Sequence, residues 1–204
     1  MRLAFDFKSL INFLRLNLGL FIYGLGIALM VDAKIGIPPW DVFAQGISIQ
    51  AHVTYGVGSI IVSVLVLIAW IPLKVKPGIG SILNAILIGV WVDVWMPYVP
   101  TFDQYLANLL MFCLGVCTVA FATGLYISAK LGSGPRDGLM IGTQKILGWP
   151  FWIVRTMYEG TVLIIGGLMG GQIREGTLIF AVSIGYLMQA ALKFFGEEPR
   201  KNRK

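Results

Sequence analysis

One stretch of this chain occurs twice, and that repetition decides how the fold is interpreted. AKIGIPPWD at residues 33–41 returns as AKLGSGPRD at residues 129–137, an offset of 96 residues. Six of the fourteen positions are identical between 33–46 and 129–142. The same offset aligns a second block, 80–89 with 176–185, in which several glycines and alanines coincide. Two separate blocks at one offset predict an internal duplication.

The composition is that of a membrane protein. Hydrophobic residues make up 57% of the 204 residues, charged residues only 13%, and the mean hydropathy is +0.80. A soluble domain carries roughly 25% charged residues. Because so few charges cannot cover a surface in water, lipid must be the solvent for most of the chain. We therefore predict an all-α fold, a polytopic membrane helix bundle.

Six apolar stretches are long enough to cross a hydrocarbon core of ~30 Å as helices. They lie at about residues 9–33, 56–73, 79–97, 105–129, 151–171 and 177–195. Two shorter and more polar stretches, 38–50 and 135–147, are predicted to be short interfacial or re-entrant helices. The chain is interpreted as one membrane domain, 1–204, with one repeat over about 9–98 and a second over about 105–195.

Lysine and arginine are unevenly distributed between the predicted loops. With six spans and a cytoplasmic N-terminus, thirteen lie in inner loops and only Lys34 and Arg174 in outer ones. If the two short helices also crossed, the split would be nine against six. The excess of basic residues on the cytoplasmic side favours six spans with both termini cytoplasmic. The C-terminal tail, 196–204, carries four of these residues: Arg200, Lys201, Arg203 and Lys204.

Each repeat then holds three spans, which is an odd number. The second repeat must therefore enter the bilayer from the opposite side, which predicts an inverted 3+3 repeat. Many transporters are built in this way. Inverted repeats also occur in channels and in proteins that transport nothing, so the repeat alone does not decide the function.

Several classes of function have no support in the sequence. The net charge of +6 does not indicate a nucleic acid partner, because no basic stripe interleaves with aromatic residues. Cys113 and Cys117 lie on one face of an apolar helix without further ligands nearby, so we predict packed thiols and no metal site. The chain lacks a nucleophile elbow or a phosphate-binding glycine loop. We expect neither an enzyme nor a bound cofactor.

The repeated G-x-x-P-x-D element predicts a helix break followed by a new helix. Gly36 and Gly132 suit left-handed C-terminal caps of the preceding long helices. Pro39 and Pro135 suit the first helical position, where no N–H donor is lost. The aspartate two residues further on then falls near the third position, where its carboxylate can accept free N–H groups.

The same element also has a functional interpretation. Broken helices at matching positions of two halves indicate a transport site. The free N–H groups at the two helix starts could hold an anion; alternatively, Asp41 and Asp137 could bind a cation or a proton. Trp40 and Arg136 occupy equivalent positions and differ in chemistry, so the two halves of such a site would be unequal.

Arg155 and Glu159 are the sharper candidates for a functional pair. They are four residues apart on the predicted fifth span and therefore share a face. Glu159 lies roughly 12 Å along a helix that begins near Phe151, close to the middle of the bilayer. Ionised groups at that depth cost at least about 2.5–3.5 kcal/mol each, so they are candidates for function, or for an ion pair with another helix.

Further residues carry a resemblance to a known family. Ala33-Lys34-Ile35-Gly36 with Pro39-Trp40-Asp41-Val42, then Pro77-Gly78-Ile79-Gly80-Ser81, resembles the first half of the YczE/YyaS/YitT family of bacterial integral membrane proteins, and most closely its YczE branch. Arg155 and Glu159, followed by Gly170-Gly171 and Gly176-Thr177, resemble its second half. The resemblance runs through nearly the whole chain. It implies a multi-pass protein of the bacterial plasma membrane and does not identify a substrate.

Together these patterns favour a small secondary transporter or permease-like protein whose substrate, a small molecule or an ion, binds between the repeats. The candidate site residues are Asp41, Asp137, Arg155, Glu159, Trp40 and Arg136, with helix breaks at Gly36, Pro39, Gly132 and Pro135. The alternative is a membrane protein that does not transport but acts through a partner, such as a substrate-capturing subunit of a larger importer or an accessory factor. Besides the lipid bilayer, a homodimer or a protein partner remains open.

Overall fold

The described part of the chain is entirely helical. A computed structural model describes residues 7–197, with side chains from residue 9 onward. Within this range there are eight α-helices, a short 3-10 turn at Met96–Tyr98 and no strand. The helices are α1 (Phe7–Asp32), α2 (Pro39–Ala51), α3 (Tyr55–Ala69), α4 (Ile79–Trp95), α5 (Tyr105–Ile127), α6 (Pro135–Leu147), α7 (Phe151–Leu168) and α8 (Glu175–Phe194). The four basic residues predicted to mark the cytoplasmic tail lie outside the described residues.

Four helices are long and apolar enough to cross a membrane: α1, α4 with its 3-10 turn, α5 and α8. The α2 and α3 helices meet this requirement only as a pair, and they are bent by 115° at the break between them. The α3 helix has 15 residues, which cover roughly 22 Å, less than the ~30 Å hydrocarbon core. The hydropathy of α7 is lowered by Arg155 and Glu159. The prediction of six spans is therefore confirmed for four helices only.

The centre of the bundle is formed by α1 and α5, which run antiparallel. Gly19 lies against Tyr126 and Gly26 against Gly115, so the residue order along the two helices is opposite. A Cβ added to Gly26 would lie 2.9 Å from the Gly115 carbonyl oxygen. Such small residues let helix backbones approach closely, which is a main source of helix association in lipid. The α4 helix packs on α1, and α8 packs on α5.

The local backbone conformation repeats with the sequence. The α2, α3 and α4 helices begin at residues 39, 55 and 79, and α6, α7 and α8 begin 96 residues later in each case. Left-handed backbone angles recur at the same offset: Lys34 and Lys130 both have φ of 56°, and His52 (56°) corresponds to Gly148 (67°). Equivalent sequences have therefore produced equivalent helix starts and breaks.

The two halves also exchange equivalent contacts. The Gly80 N–H donates to the Leu131 carbonyl oxygen at 2.8 Å, and the Gly176 N–H donates to the Ile35 carbonyl oxygen at 2.6 Å. Each member of one bond lies 96 residues from a member of the other. The start of α4 is thus bound to the break that follows α5, and the start of α8 to the break that follows α1.

Gly36 and Gly132 do not form the left-handed helix caps that the sequence predicted. Lys34 and Lys130 take that conformation two residues earlier. Gly36 has φ of 116° and Gly132 has φ of 137°, a region that essentially only glycine adopts. A Cβ on Gly36 would also lie 2.8 Å from the backbone nitrogen of Thr177 at the start of α8. These glycines are therefore required by the exchanged contacts between the halves.

Cys113 and Cys117 were predicted to pack inside the bundle, and that prediction is wrong. Both thiols are exposed on α5, because the face of α5 that carries Gly115 and Val116 is the one turned toward the core. Among the described residues there is no group of three or more His, Cys, Asp and Glu side chains that could hold a metal ion.

Candidate functional site

The starts of α2 and α6 lie in the interior, while their ends reach the surface. Pro39 and Pro135 are the first residues of the two helices, as predicted, each preceded by a residue with φ near −60° and ψ near 150°. Pro39 and Pro135 are buried, whereas the opposite ends of both helices are exposed. The two helix starts are thus held inside the protein.

Asp41 is bound across the boundary between the repeats. The Arg136 guanidinium donates to both of its carboxylate oxygens, at 3.1 and 3.2 Å, and the Tyr55 hydroxyl donates to one of them at 2.9 Å. The Asp41 residue is only 2% exposed. The prediction that the Asp41 carboxylate would accept helix N–H groups is wrong, since its hydrogen-bond partners among the described residues are the Arg136 guanidinium and the Tyr55 hydroxyl; a two-pronged guanidinium offers stronger, charge-assisted bonds.

Trp40 and Arg136, which occupy equivalent positions in the two repeats, lie face to face. The Arg136 guanidinium carbon is 5.7 Å from the centre of the Trp40 ring, a cation–π distance. Trp40 also contacts Tyr158 on α7, whose ring is stacked on it at 6.4 Å between centroids. The difference between Trp40 and Arg136 therefore produces a direct contact between the halves.

Arg155 and Glu159 form the predicted ion pair on α7, with Arg155 Nε 2.8 Å from Glu159 Oε1. Their side chains remain partly exposed, at 39% and 25%. The residues 96 positions earlier are Ser59 and Ser63 on α3, which are 4% and 8% exposed. The second half thus carries an accessible charge pair where the first carries two buried hydroxyls.

Asp137 differs from its counterpart Asp41, because it forms no ion pair or side-chain hydrogen bond with any described residue. Two other polar groups converge near it. The Tyr126 hydroxyl, Asp137 Oδ2 and Asn84 Nδ2 lie 3.2, 3.5 and 3.7 Å from the point where a Cβ on Gly134 would be. A free carboxylate, a hydroxyl and an amide therefore surround one small space at the start of α6.

One cavity, with a volume of about 100 Å³, joins these groups. Trp40, Arg136, Asp137, Arg155 and Glu159 all line it. Of the predicted site residues only Asp41 does not; it lies behind Arg136. Sixteen of the twenty-one lining residues fall into eight pairs that are 96 residues apart. These pairs are 23/119, 38/134, 39/135, 40/136, 59/155, 63/159, 84/180 and 88/184. The cavity therefore lies where equivalent parts of the two repeats meet.

Sequence reasoning missed several of the residues around this cavity. Ser59 could have been found, because it is the counterpart of Arg155 at the repeat offset. Tyr55 and Tyr126 carried no such signal, since their counterparts are Phe151 and Met30. Their roles depend on helix placement and became evident only in three dimensions.

The fold and this cavity define a polytopic helical membrane protein with a polar interior site. The chain belongs to a family described as "Family of unknown function (DUF6198)", whose model matches residues 10–193.

Among its relatives, an uncharacterized protein of Haemophilus influenzae is 34% identical over 178 residues, covering 87% of this chain and 82% of the relative. The uncharacterized membrane protein YczE of Bacillus subtilis is 35% identical and covers 85% of this chain and 82% of its own. The uncharacterized protein YyaS of the same species is 26% identical, with 84% and 88% covered. No solved structure matches the chain.

Proposed function

We propose that this protein is a small transporter of the bacterial plasma membrane that binds its substrate in the cavity between the repeats. The observation that carries this proposal is the pairing of the cavity walls, in which eight equivalent pairs face a shared interior that contains charged groups. Two broken helices start at that interior, the arrangement by which repeat-built transporters form a site near the bilayer midplane. We assign the protein no catalytic step and no cofactor.

The proposal includes an inverted repeat with three spans in each half. The antiparallel packing of α1 against its counterpart α5, and the exchanged bonds of Gly80 and Gly176, support it. In this arrangement α3 and α7 are the second crossing of each half, and α2 and α6 re-enter from opposite sides to reach the cavity. Both termini then lie in the cytoplasm.

This topology predicts opposite accessibility for two equivalent surface lysines. Lys34 and Lys130 are both exposed and have the same φ, so a cysteine at either position is open to a soluble reagent; only the change at Lys130 also removes an ion pair, the one with Glu197. On a background with Cys113→Ser and Cys117→Ser, we expect an impermeant maleimide to label Lys34→Cys in intact cells and Lys130→Cys only after permeabilisation. Labelling of both variants from the same side would contradict an inverted repeat.

A second prediction concerns the charge pair in the cavity. We expect Glu159→Gln to insert normally, because glutamine keeps the shape of the side chain, but to abolish uptake into proteoliposomes and any ligand-induced thermal stabilisation. The screen compares purified wild-type protein and the variant against ions and metabolites. A matched control is Glu175→Gln, since the Glu175 carboxylate is exposed at the start of α8 and lies outside the cavity. Wild-type behaviour of Glu159→Gln would remove this residue from the mechanism.

One observation favours a second candidate function, capture of a substrate for a larger importer. Only 11% of the residues in the apolar span of α8 are buried, against 33% in the span of its counterpart α4, so a large apolar surface is available to a partner helix. The discriminating measurement is uptake by the pure protein in liposomes. Uptake without any partner supports the transporter, whereas ligand binding without uptake supports the capturing subunit.

A further inference from the structure

The two repeats differ most where the third and fourth helices of each half should meet. In the first half, α3 and α4 pack backbone to backbone: a Cβ on Gly56 would collide with the Gly89 carbonyl oxygen. Asp93 on α4 accepts hydrogen bonds from the Gly56 N–H, at 2.8 Å, and from the Thr54 hydroxyl. The start of α3 is thereby fixed to α4.

In the second half, the equivalent interface between α7 and α8 is open. Trp152 replaces Gly56, Pro150 replaces Thr54, and Gln189 replaces Asp93, so both the close approach and the carboxylate cap are lost. Gly185, the counterpart of Gly89, has no atom within 4 Å of the place where its Cβ would be. The α7 and α8 helices accordingly do not pack along each other as α3 and α4 do. We refer to this gap as the α7–α8 opening.

Residues on both sides of the α7–α8 opening line the cavity. The α7 side of the cavity carries Arg155 and Glu159, and the α8 side carries Phe180, Ile184 and Met188. The ion pair is partly exposed, whereas Ser59 and Ser63, at the equivalent positions of the first half, are buried. One wall is therefore charged and the other apolar.

This combination restricts what can occupy the opening in a membrane. An ion pair that faces only acyl chains is costly, so a polar group must accompany it, while the α8 wall offers contacts for a hydrocarbon chain. The sign of the charge that is left unpaired in the cavity also restricts the ligand. Asp41 is neutralised by Arg136 and Glu159 by Arg155. The carboxylate of Asp137 remains, beside the Tyr126 hydroxyl, and a cation with hydrogen-bond donors complements it.

We propose that the cavity binds a single-chain amphiphile with an ammonium head, which enters sideways from the bilayer through the α7–α8 opening. The head lies at Asp137 and Tyr126, and the chain lies along Phe180, Ile184 and Met188. This inference rests on the proposed function, for which it names the substrate class.

The test uses dodecylamine with a diazirine at the end of its chain, added to the full protein in lipid nanodiscs and activated by light. We expect mass spectrometry to find the adducts on α8 between residues 180 and 188 and on the facing part of α7. Excess dodecylamine should remove these adducts, while dodecanoic acid and butylamine should not, because one lacks the cation and the other the chain. Adducts spread evenly over the lipid-facing helices, or equal competition by dodecanoic acid, would overturn the inference.

Two variants with matched controls sharpen the result. Asp137→Asn should lower the specific adducts about ten-fold, the loss expected for one charge-assisted contact, while Asp103→Asn, at an exposed loop carboxylate, should leave them unchanged. Gly185→Leu should fill the opening and lower them, whereas Ala190→Leu, also exposed on α8, should not. Cross-linking of Gly185→Cys to a second copy would show another occupant and overturn the proposal.

The failure of this inference is distinguishable from failure of transport. Uptake of a water-soluble solute that depends on Glu159, without specific amphiphile labelling, overturns the ammonium amphiphile and keeps the transporter. Specific labelling in a protein that moves no labelled amine between the leaflets of a liposome overturns transport and keeps the ligand.

Discussion

Replacing Arg136 with alanine is expected to destabilise the protein by about 3–5 kcal/mol, because it leaves a buried carboxylate without its cation. Asp41 is 2% exposed and receives both of its guanidinium bonds from Arg136. The Tyr55 hydroxyl would be its only remaining side-chain donor among the described residues. The loss is measured as the change in unfolding free energy, or as a fall in midpoint temperature, for purified protein in one detergent.

Two further variants separate this effect from a general loss of packing. Arg136→Gln combined with Asp41→Asn removes both charges and should recover much of the stability, since the penalty arises from the unpaired charge. Lys130→Ala breaks a surface ion pair with Glu197, 3.0 Å between charged atoms, and should cost no more than about 1 kcal/mol. If Arg136→Ala were as mild as Lys130→Ala, the pair with Asp41 would not hold the two repeats together.

Gly166→Ala is the second variant with a large expected effect. A Cβ on Gly166 of α7 would lie 2.5 Å from the Phe43 backbone nitrogen and 2.6 Å from the Phe43 Cα. These are backbone atoms of α2, so they cannot rotate away, and α2 must shift as a unit. We expect a loss of about 1–3 kcal/mol, the usual cost of overpacking a close interface, together with movement of the cavity wall that α2 carries.

The matched control lies six residues earlier on the same helix. Gly160 has no atom within 4 Å of its Cβ position, so Gly160→Ala meets no obstacle and should stabilise α7 by about 0.5–1 kcal/mol through its better helix propensity. Both variants are compared by thermal unfolding in the same detergent. The same destabilisation in both would mean that the interface between α2 and α7 is looser than its geometry indicates.

Local features of the fold were predictable from the sequence. Proline at the first position of a helix and residues four apart on one helix depend only on neighbours along the chain. The starts of α2 and α6 and the pair of Arg155 with Glu159 were accordingly found where they were predicted. Span counting succeeded for the long apolar helices and was not confirmed for α3 and α7, whose length or charge departs from a standard crossing.

The sequence by itself determined the duplication, since an offset of 96 residues is a property of residue order and fixes equivalent helix starts and breaks. Only the tertiary structure decided which charges are paired. The Asp41 carboxylate could accept from free helix N–H groups or from Arg136, which is 95 residues away in the chain, and no local pattern distinguishes the two. The α7–α8 opening was also evident only in the tertiary structure. The distance between two helices follows from all their side-chain contacts together, and no local periodicity encodes it.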